Sequence, residues 1–395
     1  MAAIGILSLA TYFSDEPKCT DDRQLRLCLE PVHHDTMTTD VTLRYSIAES
    51  ISGLIIDDEE VKQKTNSSLH DQSPPTNVTN GTISQLLPSN GTLKLWKFND
   101  VDDQQLYLYE SLLKQNWTAD LKAIQTLRKQ LSEYRSELGD RSEIILHQRN
   151  TKVKQKIYSV FRNGVIAMPQ NIFNLFPKTD PLNQETRYRS CAVVGNSGVL
   201  LNSSCGNDID KHDFVFRCNL ASLSQFKIDV GMKSSLTTMN PSLVTRTYKE
   251  LKKAEDVRQY NQDISQYDGL LWVPCFNYPG DIYRIPRIFS SFKGKKPKIV
   301  CGNPHHFRSV MDFWKERGLT NPSSTGFYLV STAVQVCDEV HLYGFWPFSE
   351  RYGDIKSDVM YHYFDNMTFS SFHSMDEEFS ILIQLHIRGI LRINI

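Results

Sequence analysis

Residues 191–219 read CAVVGNSGVLLNSSCGNDIDKHDFVFRCN. Ala192 to Val194 make a short apolar strand that runs into the turn Gly195-Asn-Ser-Gly198. A second apolar strand, Phe214 to Phe216, ends in Arg217, Cys218 and Asn219. Two strand ends carrying small or amide residues are what a nucleotide site needs. Gly195 and Gly198 let backbone approach a ligand, and Asn196 and Asn219 each offer a donor and an acceptor. The spacing is Gly-x-x-Gly, not the Gly-x-Gly-x-x-Gly of dinucleotide folds. These residues alone therefore leave a nucleotide site and an ordinary tight turn both open.

Outward from this block, strand-like and helix-like stretches alternate to the end of the chain. Strands are expected at 192–194, 214–216, 269–273, 298–301 and 340–343, and helices at 305–317, 326–338 and 377–388. That alternation reads as an α/β domain with a largely parallel sheet covered on both faces. Upstream, Leu121, Ile124, Leu127, Leu131, Tyr134 and Leu138 fall at spacings of three and four, one helical stripe closed by Gly139. Lys122, Arg128, Lys129, Glu133 and Arg135 fall off that stripe and read as a solvated charged side, in preference to a basic face for a partner or acceptor glycan.

The 395 residues carry a net charge of −1, and 40% are hydrophobic and 23% charged, as in ordinary globular proteins. Nothing in that balance suggests a nucleic-acid partner. Asn-x-Ser/Thr occurs at Asn66, Asn77, Asn80, Asn90, Asn116, Asn202 and Asn366. The first four lie in a Ser/Thr/Asn/Pro-rich stretch, which reads as the glycosylated stem of a secretory-pathway protein. Eight cysteines, at 19, 28, 191, 205, 218, 275, 301 and 337, fit that compartment and include no zinc-type spacing. Residues 1–13 are apolar, but a bilayer-crossing helix needs about 20 such residues. They read as the remnant of an N-terminal membrane anchor, or as no anchor at all. Residues 14–95 read as a mostly disordered stem, 96–190 as a helical lead-in and 191–395 as the core α/β domain.

Further downstream, Pro322-Ser-Ser-Thr-Gly326 precedes an amphipathic helix. Hydroxyls and a glycine at a helix N-terminus suit an anion, because the first backbone N–H groups have no partner within the helix. The same residues serve as plain helix caps. His362 sits in Tyr361-His-Tyr-Phe-Asp365. His373 is followed by Ser374-Met-Asp-Glu377, the pattern of a capping box. His373 then stands just before a helix N-terminus, where the dipole disfavours imidazolium, while Asp376, Glu377 and Glu378 favour it.

The 191–219 block resembles the large sialylmotif of animal sialyltransferases, glycosyltransferase family 29. Ser324 to Phe348 resembles the small sialylmotif, and its phrase His341-Leu-Tyr-Gly-Phe-Trp-Pro-Phe348 looks most like the α-2,8 branch. His362 and the run His373 to Glu378 resemble the family's third and very short motifs. The resemblance implies a modified GT-A-like, Rossmann-type sheet and transfer of sialic acid from CMP-sialic acid to a glycan hydroxyl, with inversion and without metal. It implies that Asn196, Asn219, Ser324, Thr325, Gly326, Gly344 and Trp346 hold the donor, supported by Gly195, Ser197 and Glu378. His373 matches the catalytic base, and His362 matches the histidine beside the departing phosphate. Asp208-Ile-Asp210 has the form of a manganese site, but it lies where the family uses no metal and reads as structural.

The resemblance also implies a Cys191–Cys337 disulfide. Cys205 matches a cysteine whose partner lies near the C-terminus, yet Leu391-Arg-Ile-Asn-Ile395 holds none. Cys205 is then orphaned, or pairs with Cys275 or Cys301, or the chain is cut short. The implied setting is the Golgi lumen, with CMP-sialic acid and a sialylated glycoprotein or glycolipid as partners. Family members that build long polymers carry a strongly basic segment before the large motif; residues 159–190 hold only Arg162, Lys178, Arg187 and Arg189 against Asp180 and Glu185, so the resemblance implies mono- or oligosialylation. The competing readings are a sialyltransferase of another linkage and an inactive luminal relative that binds donor or glycan.

Overall fold

The computed structural model describes residues 103–134, 143–161, 164–182, 187–351, 357–367 and 372–395. The expected anchor and stem, Cys19, Cys28 and the sequons at Asn66, Asn77, Asn80 and Asn90 lie outside the described residues. Among the described residues, no helix is long and apolar enough to cross a membrane.

A seven-stranded sheet organises the fold. Its strands are β3 (Tyr188–Val194), β4 (Phe214–Arg217), β5 (Leu236–Thr238), β6 (Leu270–Val273), β7 (Lys298–Cys301), β8 (Cys337–Tyr343) and β11 (Arg392–Asn394). Their order is β11-β8-β3-β4-β5-β6-β7, and every pairing is parallel. Two small antiparallel pairs stand apart: β1 (Lys156–Tyr158) with β2 (Val165–Ala167), and β9 (Glu350–Arg351) with β10 (Ser357–Asp358). The expected helical lead-in thus contains a hairpin as well as helices.

Side chains alternate across the central strands as a pleat requires. Cys191, Val193, Phe214 and Phe216 join one apolar core, while Ala192, Val194 and Val215 join another on the opposite face. A third cluster takes Leu271, Val273 and Cys301 at the β6–β7 end. Both faces are therefore dry, and the strands read as near-continuous apolar runs. β5 is the exception. Leu236-Thr-Thr238 is fully buried, yet two of its three residues are hydroxylic. Thr238 Oγ1 accepts from Asn219 N at 3.0 Å, so its polar atom is satisfied inside.

The longer helices are α1 (Asp103–Leu113), α2 (Leu121–Glu133), α3 (Ala254–Ile264), α4 (Pro304–Lys315), α5 (Thr325–Val336) and α6 (Met375–Ile387). α2 realises the expected stripe through buried Ile124, Leu127 and Leu131, but Leu121 is 64% exposed and the helix stops at Glu133. Gly139 lies outside the described residues. Arg128 departs from its expected place on the solvated side. Its guanidinium turns inward and donates from Nε to Val334 O at 2.9 Å and from Nη2 to Cys337 O at 2.5 Å. Carbonyls at a helix C-terminus have no partner within the helix, and a cation there also meets the negative end of the dipole. Nearby, Trp117 Nε1 donates to His386 O at 3.0 Å and Asp120 N to Gly389 O at 2.9 Å, so the lead-in also closes the end of α6.

Cys191 and Cys337 are bonded, with Cα atoms 6.0 Å apart across a separation of 146 residues. On the chain-entropy model a crosslink of that span stabilises by about 5 kcal/mol. The helix expected to reach 338 ends at Val336, and Cys337 opens β8 instead. Parallel pairing with Tyr188 and the bond to β3 outweigh continuation of the helix at this point. Cys275 and Cys301 are bonded to each other, which rules out both as partners of Cys205. Cys205 and Cys218 are free.

Candidate active site

The chain lays down β3 to β7 in one direction, then returns to place β8 on the other side of β3. The strand order thus reverses at β3, and a cleft lies beyond the C-terminal ends of the strands at this switch point. The cleft there has an empty volume of about 790 Å³.

Its floor is two touching turns. Gly195 N donates to Tyr343 O at 2.7 Å, and Ser197 N donates to Gly344 O at 3.2 Å. Ser197 Oγ donates to Trp346 O at 2.8 Å. A Cβ on Gly195 would lie 2.4 Å from Gly344 O, and Gly344 itself has φ +71°. Neither position accepts a larger residue without moving backbone. Asn196 Oδ1 is buried beside these turns without a hydrogen-bond partner among the described residues, an acceptor left for a ligand.

The wall opposite is the N-terminus of α5. Ser324 caps it: Ser324 Oγ accepts from Phe327 N at 3.1 Å and donates to Glu378 Oε2 at 2.6 Å. Ser324 N donates to Glu378 Oε1 at 2.5 Å. Glu378 is buried at 5% exposure, and burial pushes its carboxyl up to about 7 against the opposing pull of the two Ser324 bonds. Glu378 thus ties the first turn of α6 to the cap of α5.

The two histidines reach the cleft differently. His373 Nδ1 lies 2.7 Å from Pro322 O. A carbonyl only accepts, so Nδ1 carries the hydrogen and the neutral ring leaves Nε2 as its basic nitrogen. Burial lowers the pKa of His373 below its ordinary 6.5, against the opposing carbonyl bond. His373 does precede a helix N-terminus, but the expected capping box is absent. Ser374 makes no side-chain cap, and Glu377 instead accepts from Thr320 N at 2.9 Å and from Thr320 Oγ1. A tertiary partner competes successfully for the local cap. His362 Nδ1 faces Asp365 Oδ1 at 3.0 Å, and its ring stacks between Tyr361 and Phe364. Its Nε2 is the nitrogen left for the cleft.

The structure brings together Gly195, Asn196, Ser197, Asn219, Ser324, Thr325, Gly326, Gly344, Trp346, His362, His373 and Glu378 as lining residues. Asp208 and Asp210 stand elsewhere. Asp208 pairs with Lys211 at 2.7 Å, and Asp210 accepts from Met232 N and Lys233 N at 2.9 and 2.8 Å, pinning the loop before β5. Asn116, Asn202 and Asn366 are exposed. Asn240, Phe345, Tyr361, Phe379 and Leu382 also line the cleft and escaped the sequence reading. The one signal for Asn240 is positional: it stands two residues beyond β5, as Asn196 does beyond β3 and Asn219 beyond β4.

The sequence profile of glycosyltransferase family 29 (sialyltransferase) matches residues 145–390. The chain is 36% identical over 299 residues to alpha-2,8-sialyltransferase 8F of Mus musculus, covering 74% of this chain and 73% of the relative. It is 38% identical over 256 residues to the Homo sapiens protein of that name, and this match covers 63% of each. A solved mammalian sialyltransferase in complex with Gal-beta-1-3GalNAc-ortho-nitrophenol aligns at a TM-score of 0.43 and 23% identity, over 67% of this chain and 95% of that one. On the profile match and the murine relative, the chain belongs to glycosyltransferase family 29, the sialyltransferases.

Proposed function

We propose that this protein moves sialic acid from CMP-sialic acid to the 8-hydroxyl of a sialylated glycan, forming an α-2,8 linkage with inversion. The observation that carries the reading is His373, whose Nδ1–H is committed to Pro322 O while burial favours the neutral ring. Such a ring is a ready general base. His373 Nε2 takes the proton of the acceptor hydroxyl as the oxygen bonds to the anomeric carbon. The bond from that carbon to the phosphate oxygen breaks, and its electron pair leaves with CMP. His362, held at Nδ1 by Asp365, presents Nε2 to the departing phosphate and stabilises it there. One displacement from one side inverts the centre.

Asn196, Asn219 and the α5 N-terminus would hold the nucleotide, with Ser324, Thr325, Gly326, Gly344 and Trp346 around it. No metal is needed, and Asp208 and Asp210 are engaged in other contacts. The α-2,8 linkage rests on the relatives' names and on the run His341 to Phe348. Exposed sequons at Asn116, Asn202 and Asn366 support a lumenal Golgi setting, with a stem and an N-terminal anchor upstream. Cys205, free among the described residues, goes with a second reading, a luminal binder without turnover.

The test incubates the chain with CMP-sialic acid, a sialylated oligosaccharide and excess EDTA. Release of CMP with gain of one or a few α-2,8-linked residues is expected. No release rejects the enzyme reading in favour of the binder. Release that is lost in EDTA and restored by manganese rejects the metal-free mechanism. A product of different linkage rejects α-2,8.

A further inference from the structure

Three neighbouring parallel strands each place an asparagine two residues past their end: Asn196 after β3, Asn219 after β4 and Asn240 after β5. The run 191–219 holds the first two, and the third lies outside both that run and 324–348. Asn240 N donates to Asn219 Oδ1 at 3.3 Å. A backbone N–H only donates, so the oxygen of Asn219 must face it and the NH2 of Asn219 is turned away. Asn219 N in turn donates to Thr238 Oγ1, which holds Asn219 at its left-handed φ of 51°. On its other side Asn240 Oδ1 accepts from Thr325 Oγ1 at 3.2 Å, at the first turn of α5. One side chain therefore joins the loops after β4 and β5 to the helix wall. With its N–H and Oδ1 engaged, Asn240 Nδ2 has no protein partner among the described residues, and the residue lines the cleft.

We infer that Asn240 is a further donor-site residue: it orients Asn219 and Thr325, and it presents its own NH2 to an acceptor-rich group of CMP. That group is either the phosphate oxygens or the pyrimidine carbonyl, since both offer only lone pairs to an amide. The inference rests on the reading of the cleft as the donor site. A neutral NH2 suits an anionic ligand here, because it supplies a hydrogen bond without burying a charge.

Asn240→Asp isolates the point. The backbone N–H still meets Asn219, and one carboxylate oxygen still accepts from Thr325. Only the atom left for the ligand changes, from a donor to a charged acceptor. Binding of CMP should weaken by about tenfold or more, the scale of losing a hydrogen bond to a charged group. The KM for CMP-sialic acid should rise with it, while kcat changes less and the melting temperature holds. A purely structural Asn240 would leave KM unmoved, and unchanged CMP affinity in the variant overturns the inference. Cytidine, which lacks phosphate, separates the two groups: weakening for CMP alone assigns the phosphate, and weakening for both assigns the pyrimidine. Should Asn240→Asp fail to fold, Thr325→Val frees the amide instead and should raise KM several-fold, whereas an unchanged KM overturns the inference. Wild-type protein that binds neither CMP nor cytidine overturns the donor-site reading, and the inference with it.

Discussion

The sheet side of the cleft and the histidine side are held by different forces. Asn196 and Asn219 follow directly on strands buried on both faces, and the β3–β8 pair is further bonded through Cys191 and Cys337. The segment bearing His362 and the approach to α6 bearing His373 depend more on single polar contacts. Gly198 N and Met360 O, Tyr363 N and Asn196 O, and Tyr363 Oη and Ser222 O tie down the first. His373 with Pro322, Glu377 with Thr320 and Glu378 with Ser324 tie down the second. A preformed binding floor is thus paired with reactive groups that separate bonds aim. Such an arrangement lets catalysis be lost while nucleotide binding survives, but not the reverse.

The largest effect should come from attacking the sheet side. Replacing Cys191 and Cys337 together by serine should cost up to about 5 kcal/mol of stability and weaken CMP binding in parallel. Denaturant melts and CMP titrations on the same samples check this. Unchanged stability would show that the sheet holds its loops without the crosslink, and the contrast between the halves would shrink.

His373→Ala should show the opposite signature. Turnover should fall by about a hundredfold or more, the scale for a lost general base, while CMP affinity and melting temperature stay close to wild type. With the ring's pKa below 6.5 in the free protein, the acid limb that His373 contributes to the kcat/KM profile should also lie below 6.5 and vanish in the variant. Near-normal turnover would remove His373 from the mechanism.

The smallest effect concerns the one carboxyl that spans both halves of the helix wall. Glu378 titrates near 7 in the folded chain and at 4.5 when free. The folded state therefore binds this proton more tightly than the unfolded one. Its contribution to stability is full below 4.5 and is lost as pH rises through 7. Glu378→Gln should remove that decline from the melting temperature over this window. An identical pH slope in the two proteins would assign the proton elsewhere.

Much of this architecture is legible in the residues, for physical reasons that also mark where legibility ends. β3, β4, β6, β7 and β8 each carry a short apolar cluster, because a covered parallel sheet demands one. β5 hides, since Leu236-Thr-Thr238 offers one apolar side chain and satisfies its hydroxyls internally. Asn240 is hidden with it, although the rule placing Asn196 and Asn219 places it too. β11 escapes for a similar reason: only Ile393 of its three residues is apolar. The box at Ser374 and Glu377 fails in the opposite way, as a correct local pattern overruled by Thr320, more than fifty residues distant in sequence. Cys337 is a third kind of miss, where a bond to β3 ends a helix that periodicity alone would continue.

Arg128 carries a consequence for where this domain begins. The recurring family segment opens at residue 145, yet the guanidinium that closes the C-terminus of α5 comes from upstream of it. Trp117 and Asp120 likewise serve the end of α6 from outside that segment. The stretch that homology marks as the unit of inheritance is therefore smaller than the stretch that must fold together. A chain trimmed to the inherited segment would expose two ragged helix ends, and its failure to fold would say nothing about the chemistry of its cleft.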